Sequence, residues 1–275
     1  MKLLVTGAGG FIGHHLISDL KRDGHWVRGV DVKAPQFDPT SADEFLRLDL
    51  RDATSCRRAT EGVDEVFALA ADMGGMGYIS ANHAKILRDN QLINLNTIEA
   101  ARASSVRRYL FASSACVYPE YRQRETDVAP LREEDAYPAQ PQDAYGWEKL
   151  VAERLCHHYR EDFGLETRVA RFHNIFGPRG TWGGGREKAP AAICRKVAVA
   201  KLTGSGEVEI WGDGEQARSF CYIDDCVDGL RRLMRSDWHE PLNLGQDRLV
   251  TINELVRIVA EIAGTEVAVK HVDGP

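Results

Sequence analysis

Two short stretches of the 275-residue chain hold side chains whose types and spacing could do proton chemistry. One is Ser114-Ala115-Cys116 and the other is Tyr145-x-x-x-Lys149. Residues four apart share a face of a helix, so the phenol and the ammonium would stand side by side. A phenol, with a pKa near 10, is a poor base at neutral pH. An adjoining positive charge favours the phenolate and lowers that pKa. Lys149 is therefore expected to make Tyr145 a usable base, and the Ser114 hydroxyl to share a hydrogen bond with the reacting oxygen. Taken alone, a Tyr-x3-Lys pair is more often plain helix surface. Cys116 adds a different tool, a thiol with a pKa near 8.5 that nearby positive charge lowers. A cysteine is also a small buried hydrophobe; its place two residues after Ser114 points to chemistry.

The elements that must position these groups begin at the first residue. Leu3, Leu4 and Val5 form a short apolar run with no polar face, as in a strand buried on both sides. Gly7, Gly9, Gly10 and Gly13 follow, and residues 14–21 read as a helix with Leu16, Ile17 and Leu20 on one stripe. A strand, a glycine turn and a helix in this order form the dinucleotide-binding arrangement: backbone approaches the pyrophosphate, and the helix N-terminus attracts its charge. Residues 26–30 read as the second strand, ending at Asp31, at the spacing expected of an acid that bonds the adenosine ribose hydroxyls and repels a 2′-phosphate. NAD is expected over NADP. Residues 45–48 read as a third strand. Asp49 beyond it is placed either to reach the adenine edge or to serve a helix-capping segment at 49–52. A fourth strand is expected at 65–70.

The loop 71–78 that follows has three glycines, Gly74, Gly75 and Gly77, and two methionines, Met73 and Met76. It lies after a strand's C-terminal end, where ligands bind in open α/β sheets, and is read as a substrate or nicotinamide wall. A helix over 86–103 and a strand over 108–112 lead into Ser114 and Cys116. Residues 119–142 read as a loop over the site, and 143–159 as the helix carrying Tyr145 and Lys149. A sixth strand at 167–172 ends at Asn174, whose amide suits a phosphate or sugar oxygen or an Asx turn. Arg186, Glu187 and Lys188 precede a helix over 189–200. Basic residues at a helix N-terminus oppose its dipole, which suggests an anion nearby, although a solvated charge cluster reads the same way. Lys196 is a candidate phosphate contact. A turn at 204–206, a strand at 208–211 and a helix opened by Asp224 and Asp225 follow, and Thr251-x-x-Glu254 is a capping box.

With Gly7-x-x-Gly10-x-x-Gly13, Asp31, Ser114 and Tyr145-x3-Lys149 in place, the chain resembles the extended short-chain dehydrogenase/reductase (NAD-dependent epimerase/dehydratase) family of nucleotide-sugar enzymes. Four longer pieces resemble the branch that epimerises GDP-mannose: Asp72-Met-Gly-Gly-Met-Gly-Tyr78, Ser113-Ser-Ala-Cys-Val-Tyr-Pro-Glu120, Asn174-Ile-Phe-Gly-Pro-Arg179 and Arg186-Glu-Lys-Ala-Pro-Ala-Ala192. A sugar 4,6-dehydratase of the superfamily has an Asp-Glu pair where this chain has Ala115-Cys116, and a 4-epimerase has a small or hydroxyl residue at the Cys116 position. The resemblance implies transient C4 oxidation of the sugar, with Ser114, Tyr145 and Lys149 acting there. Cys116 and Lys188 are then the acid/base pair on opposite faces of the ring at C3 and C5. For NAD it implies Gly7, Gly10, Phe11, Ile12, Gly13, Asp31, Asp49, Leu50, Ala70, Tyr145 and Lys149. For the substrate it implies Gly74, Ser114, Ala115, Cys116, Asn174, Glu187, Lys188, Ala189, Lys196, Gln216 and Arg218, the arginine meeting the diphosphate with its guanidinium fork. It further implies a homodimer through helices near 86–103 and 143–160. Family members continue past the position of Pro275, and some of their substrate contacts lie there. A 4-epimerase, a C5-only epimerase and a non-catalytic nucleotide sensor of the same fold stay open as alternatives.

The expected fold class is α/β, a Rossmann-type doubly wound parallel sheet with a smaller α/β substrate-binding domain. Residues 1–173, with 219–250 partly returning, form the NAD-binding domain, and 174–275 mainly the substrate-binding one. The net charge of −6 with no basic block argues against nucleic acid. The first strand begins almost at Met1, leaving no room for a signal peptide, and no apolar run is long enough to span a membrane. Six cysteines without a CxxC pair or metal-ligand spacing are expected to be reduced thiols in a cytoplasmic protein, with no metal bound.

Overall fold

The computed structural model describes residues 1–122 and 130–273, apart from the side chain of Met76. In chain order its elements are β1 (Lys2–Thr6), α1 (Phe11–Arg22), β2 (Trp26–Asp31), β3 (Glu44–Arg47), α2 (Ala53–Thr60), β4 (Glu65–Ala68), α3 (Met76–Ala81), α4 (His83–Ala103), β5 (Arg108–Ser114) and α5 (Ala144–Phe163). Then come β6 (Glu166–Phe172), β7 (Ile175–Phe176), α6 (Ala189–Thr203), β8 (Glu207–Trp211), β9 (Ala217–Ser219), β10 (Cys221–Tyr222), α7 (Ile223–Arg235), β11 (Leu242–Leu244), β12 (Leu249–Thr251), α8 (Ile252–Ala263) and β13 (Ala268–Val272).

Seven parallel strands form one sheet in the order β11-β6-β5-β4-β1-β2-β3. The chain runs outward from β1 through β2 and β3, then returns to pair β4 on the other side of β1. That reversal opens a crevice at the C-terminal ends of β1 and β4, where open α/β sheets bind ligands. The apolar run at the start is explained by a core on each face. Leu3 and Val5 pack with Leu16, Ile17 and Leu230 under α1 and α7. Leu4 points the other way and packs with Val66, Ile98 and Phe111 under α2, α4 and α5. Each fully buried side chain of this size contributes about 1.5–3 kcal/mol. A third core joins α6 and α8 to β8 and β13 through Ile193, Val197, Val208, Ile210 and Val256. Strand β11 brings Asn243 back to the main sheet beside Arg171.

The structure corrects several expected boundaries. Strand β4 ends at Ala68, two residues early, because the amides of Leu69 and Ala70 donate to the Thr6 hydroxyl (3.0 and 3.1 Å) instead of continuing the ladder. The expected loop 71–78 becomes helix at Met76, where the amides of Tyr78 and Ile79 both donate to the Gly75 carbonyl and Ile79 is buried. Strand β5 runs on to Ser114, paired with Phe172, so the serine stands at the very end of the sheet. Within the expected loop 119–142, residues 123–129 lie outside the described ones; on either side the chain forms short 3-10 turns at Glu120–Arg122 and Glu133–Ala136. Asp52 and not Asp49 caps α2, accepting from the Ser55 amide at 2.8 Å. The Thr251 half of the capping box is formed, its hydroxyl accepting from the Glu254 amide at 3.0 Å.

Candidate active site

The glycine turn leads from β1 into α1. Gly7 has φ +69°, and a Cβ there would lie about 3.0 Å from the backbone of Leu69. A Cβ on Gly13 would lie 2.3 Å from the Gly7 carbonyl, and one on Gly9 2.1 Å from the Lys33 carbonyl. Only a chain without side chains here can fold this tightly. Gly10 caps α1 without a side-chain bond, and the first turn, which holds Phe11 and Ile12, has no acid. Its amides therefore stay available to an anion. Asp31 ends β2 and accepts from the Gly9 amide at 3.0 Å and the Lys33 amide at 3.1 Å, tying the acid to the turn. These features fit NAD, which the glycine turn and Asp31 would hold. Ala70 lies against the turn, its amide 3.1 Å from the Cβ position of Gly7. Leu50 is core, packed with Cys56 and Ala59. The Asp49 carboxylate is engaged by Arg51 at 2.6 Å, which holds it below the usual carboxylate range.

Three elements bring the proton-transfer candidates together. Strand β5 ends at Ser114, a 3-10 turn (Ala115–Val117) carries Cys116, and α5 presents Tyr145 one residue inside its start. Asp143 caps α5 by accepting from the Gly146 amide at 2.8 Å. Gly146 makes the meeting possible, because a Cβ there would lie 2.1 Å from the Cys116 carbonyl. The Ser114 oxygen accepts from the Cys116 amide at 3.2 Å, and its hydroxyl stands near enough to the Cys116 thiol and the Tyr145 phenol to favour their charged forms. Lys149 is buried, with its ammonium 4.7 Å from the Phe111 ring centre and 5.4 Å from that of Tyr145.

The expectation that Lys149 lowers the phenol's pKa is corrected by the structure. Burial first, then the Glu148 carboxylate, pushes Tyr145 well above its ordinary range. Glu148 lies 3.6 Å from the Lys149 ammonium and competes for its charge. Sequence reasoning missed Glu148, which is fully buried and bonded by Asn90 (3.0 Å) and Asn94 (2.9 Å) of α4. Asn90 also grips the backbone of Asp72 on both sides, at 2.7 and 3.1 Å, so the glycine-rich loop and the catalytic helix share one anchor. The signal available in the sequence was an acid adjoining Lys149 and two asparagines four apart on α4.

Lys188 is the N-cap of α6 and keeps an exposed side chain, while Cys116 is half-buried. Yet surrounding protein pushes the thiol up and the lysine down from their ordinary values, and each feels the other's charge in the opposite sense. The Ser114–Cys116 turn with α5 makes one wall of the candidate site, and the loop that leads into Lys188 makes the other. The glycine-rich loop approaches the segment before Lys188: a Cβ on Gly75 would lie 3.1 Å from the Glu187 carbonyl, while Gly74 is buried, with its Cβ position 2.9 Å from Tyr78. Arg186 stacks 3.7 Å over the Tyr78 ring. One carboxylate oxygen of Glu187 meets Arg195 at 3.1 Å; the other is buried, and the backbone amides of Glu187 and Gly185 help hold the carboxyl below its usual range. Ala115 and Ala189 open the turn and the helix that carry Cys116 and follow Lys188.

The remaining expected contacts are held by the protein itself. Asn174, at φ +44°, donates to the Ser219 carbonyl at 3.0 Å. Lys196 donates to the Glu209 carbonyl at 2.6 Å and Gln216 to that of Trp211 at 3.4 Å. Arg218 is exposed on β9, with one nitrogen 2.8 Å from the Ala217 carbonyl. Among the described residues one group has metal-ligand types, His157, His158 and Glu161 on the outer face of α5. Arg160 and Arg154 donate to the far ring nitrogens at 3.2 and 3.1 Å, so the near ones carry protons directed at Glu161 and are not free to ligate.

Comparison with known proteins agrees with this geometry. Over its full length the chain is 51% identical to a GDP-mannose 3,5-epimerase of Arabidopsis thaliana, and it covers 72% of that protein. It is also 51% identical to GDP-mannose 3,5-epimerase 1 of Oryza sativa subsp. japonica, again over all of this chain and 72% of the other. Among solved structures, UDP-glucose 4-epimerase of Thermotoga maritima, with UDP-glucose, superposes with a TM-score of 0.88 at 26% identity, covering 100% of this chain and 86% of that one. The Thermus thermophilus UDP-glucose 4-epimerase complex with NAD gives 0.82 at 26% identity, over 98% and 86%. The family model described as NAD dependent epimerase/dehydratase matches residues 3–245, and the chain belongs to that family as an epimerase that uses NAD.

Proposed function

We propose that the chain converts GDP-mannose to GDP-L-galactose, GDP-L-gulose or both, by transient oxidation at C4 and inversion at C3 and C5. The observation that carries this reading is the Ser114–Cys116 turn, which puts a thiol beside the Tyr145 phenol and within electrostatic reach of Lys188. Two relatives at 51% identity are named for this reaction.

Bound NAD supplies the reversible hydride acceptor for C4. Tyr145 takes the C4 hydroxyl proton, and Ser114 shares the hydrogen bond to that oxygen. The C4 ketone acidifies the hydrogens at C5 and C3, because either carbanion is delocalised as an enolate. Cys116 removes such a proton from one face of the ring, and Lys188 returns one from the other. Burial makes the Cys116 thiolate a stronger base and leaves less of it at neutral pH, while it makes the Lys188 ammonium a stronger acid and so moves the lysine toward the operating pH that general acid–base catalysis favours. Arg218 and Lys196 hold the diphosphate. Gly74, Ala115, Asn174, Glu187, Ala189 and Gln216 line the sugar and nucleotide, the buried oxygen of Glu187 accepting a sugar hydroxyl.

Residues 1–173, with part of 219–250, serve as the NAD-binding unit and 174–275 as the substrate unit. A homodimer through α4 and α5 would cover Leu87, Leu92, Leu95, Trp147 and Val151, all exposed. The described cysteines are all free, which suits the cytoplasm, and among the described residues no helix is long and apolar enough to cross a membrane.

The test is turnover of GDP-mannose in D₂O with NMR of the product. Deuterium is expected at C5, and at C3 if both centres invert, and Cys116→Ser should nearly abolish its uptake while NAD stays bound. The solved neighbours named as 4-epimerases favour a second reading. Inversion at C4 alone, with no solvent deuterium, would establish it in place of the first.

A further inference from the structure

The turn that carries Ser114 and Cys116 is three residues of 3-10 helix, too short to hold its own shape. One buried polar network ties down both of its flanks. On the leading side the Ser113 hydroxyl donates to Glu153 of α5 at 2.5 Å. On the trailing side the Tyr118 hydroxyl donates to the Asn243 side-chain oxygen on β11 at 2.6 Å. Arg171 of β6 reaches both sides. It donates to the two Glu153 oxygens at 2.9 and 2.7 Å and to the Tyr118 oxygen at 3.1 Å, and its guanidinium lies 5.0 Å from the Tyr118 ring centre. Ser113, Tyr118, Glu153 and Arg171 are all at most 5% exposed.

A buried Arg–Glu pair is weak support for stability, because well-packed apolar residues of similar volume often do as well. The guanidinium does offer rigid planar geometry, with several donors fixed in direction. Here one fork spans the two ends of a reactive turn. Tyr145 is positioned differently, by the helical ladder of α5 and its Asp143 cap.

We propose that Arg171 and Tyr118 are positioning residues for Cys116. They clamp the turn from both ends, so that proton exchange at C5 and C3 depends on them more strongly than the hydride step at C4. The inference rests on the reading of Cys116 as the base. Neither residue touches substrate or cofactor; both act through the backbone of residues 113–118.

Tyr118→Phe keeps the ring and its stacking and removes the hydroxyl's bonds to Asn243 and Arg171. Deuterium uptake at C5 should fall by about tenfold, a fraction of the roughly hundredfold loss that a misplacement of about 1 Å brings. KM for GDP-mannose and the rate of transient nicotinamide reduction, read by near-ultraviolet absorbance, should stay nearly unchanged. Arg171→Lys retains the charge opposite Glu153 but cannot reach both flanks, and should show the same split. Equal loss of both steps in Tyr118→Phe would mean a merely structural role, and no loss of either would mean no role; each overturns the proposal. Cys116→Ser is run in the same assay. If it keeps its deuterium uptake, the reading of Cys116 fails and the clamp fails with it. If it loses uptake while Tyr118→Phe does not, the clamp alone is wrong.

Discussion

Tyr145 and Lys149 stand on a 20-residue helix with their side chains buried, whereas Lys188 stands where a loop enters α6 and keeps its side chain exposed. The first wall of the candidate site is made from the sheet and the helix packed on it. Ser114 ends β5, Cys116 follows one turn later, and Gly146 lets α5 close against the Cys116 carbonyl. The second wall is made of loops, residues 71–75 and 177–188, joined by Arg186 over Tyr78 and by Gly75 against Glu187. Hydride transfer tolerates little error in position, and its groups sit on the rigid wall. Substrate recognition needs reach and adaptability, and part of its candidate set, Gly74 and Glu187, sits on loops. The environment of Lys188 is mixed: open to solvent, yet with burial enough to lower its pKa.

The largest expected effect comes from breaking the rigid wall at its reacting atom. Tyr145→Phe should lose about 10²–10⁴-fold in turnover, the range for a single general acid–base group, with unchanged NAD binding and an unchanged folded circular dichroism spectrum. Turnover near wild type would remove Tyr145 from the hydride step.

A smaller effect is expected from breaking the contact within the rigid wall. Gly146→Ala puts a carbon where the Cys116 carbonyl stands 2.1 Å away. Overpacking of this kind costs about 1–3 kcal/mol, and thermal melts should show it as a lower Tm. The same variant should slow deuterium uptake, because the helix and the reactive turn are forced apart. A melt and an uptake rate both matching wild type would show that the two elements are not tightly coupled.

The relation between the two walls can be sharpened by titration. The Lys188 charge lowers the Cys116 pKa against the larger upward push of burial. Lys188→Met should therefore move the pH dependence of Cys116 alkylation by iodoacetamide to higher pH, measured in a Cys194→Ala background because Cys194 is exposed. An unmoved profile would show that the two groups do not communicate. In the wild-type enzyme, kcat/KM should rise with pH as the thiol deprotonates, above the ordinary thiol range. It should fall again as Lys188 loses its proton, below the ordinary lysine range.

Most of the rigid wall was legible in local sequence. The period-free run Leu3–Leu4–Val5, the glycines of the first turn and Asp31 at the end of β2 each answer to short-range rules of strand, turn and cap, and the structure bears them out. The Tyr145–Lys149 spacing determined a shared helix face for the same reason. The sequence alone also carried the family, through motifs long enough to be specific.

Tertiary structure decided the electrostatics. No spacing rule predicts that burial, and after it Glu148 held between Asn90 and Asn94 of another helix, pushes Tyr145 up. Nor does any local pattern show that Arg171 bridges Glu153 and Tyr118 beneath the reactive turn. Local sequence sets backbone conformation, because sterics and capping act over a few residues. A pKa or a clamp is set by burial and by charges from strands and helices far apart in the chain, and those distances exist only once the sheet has assembled.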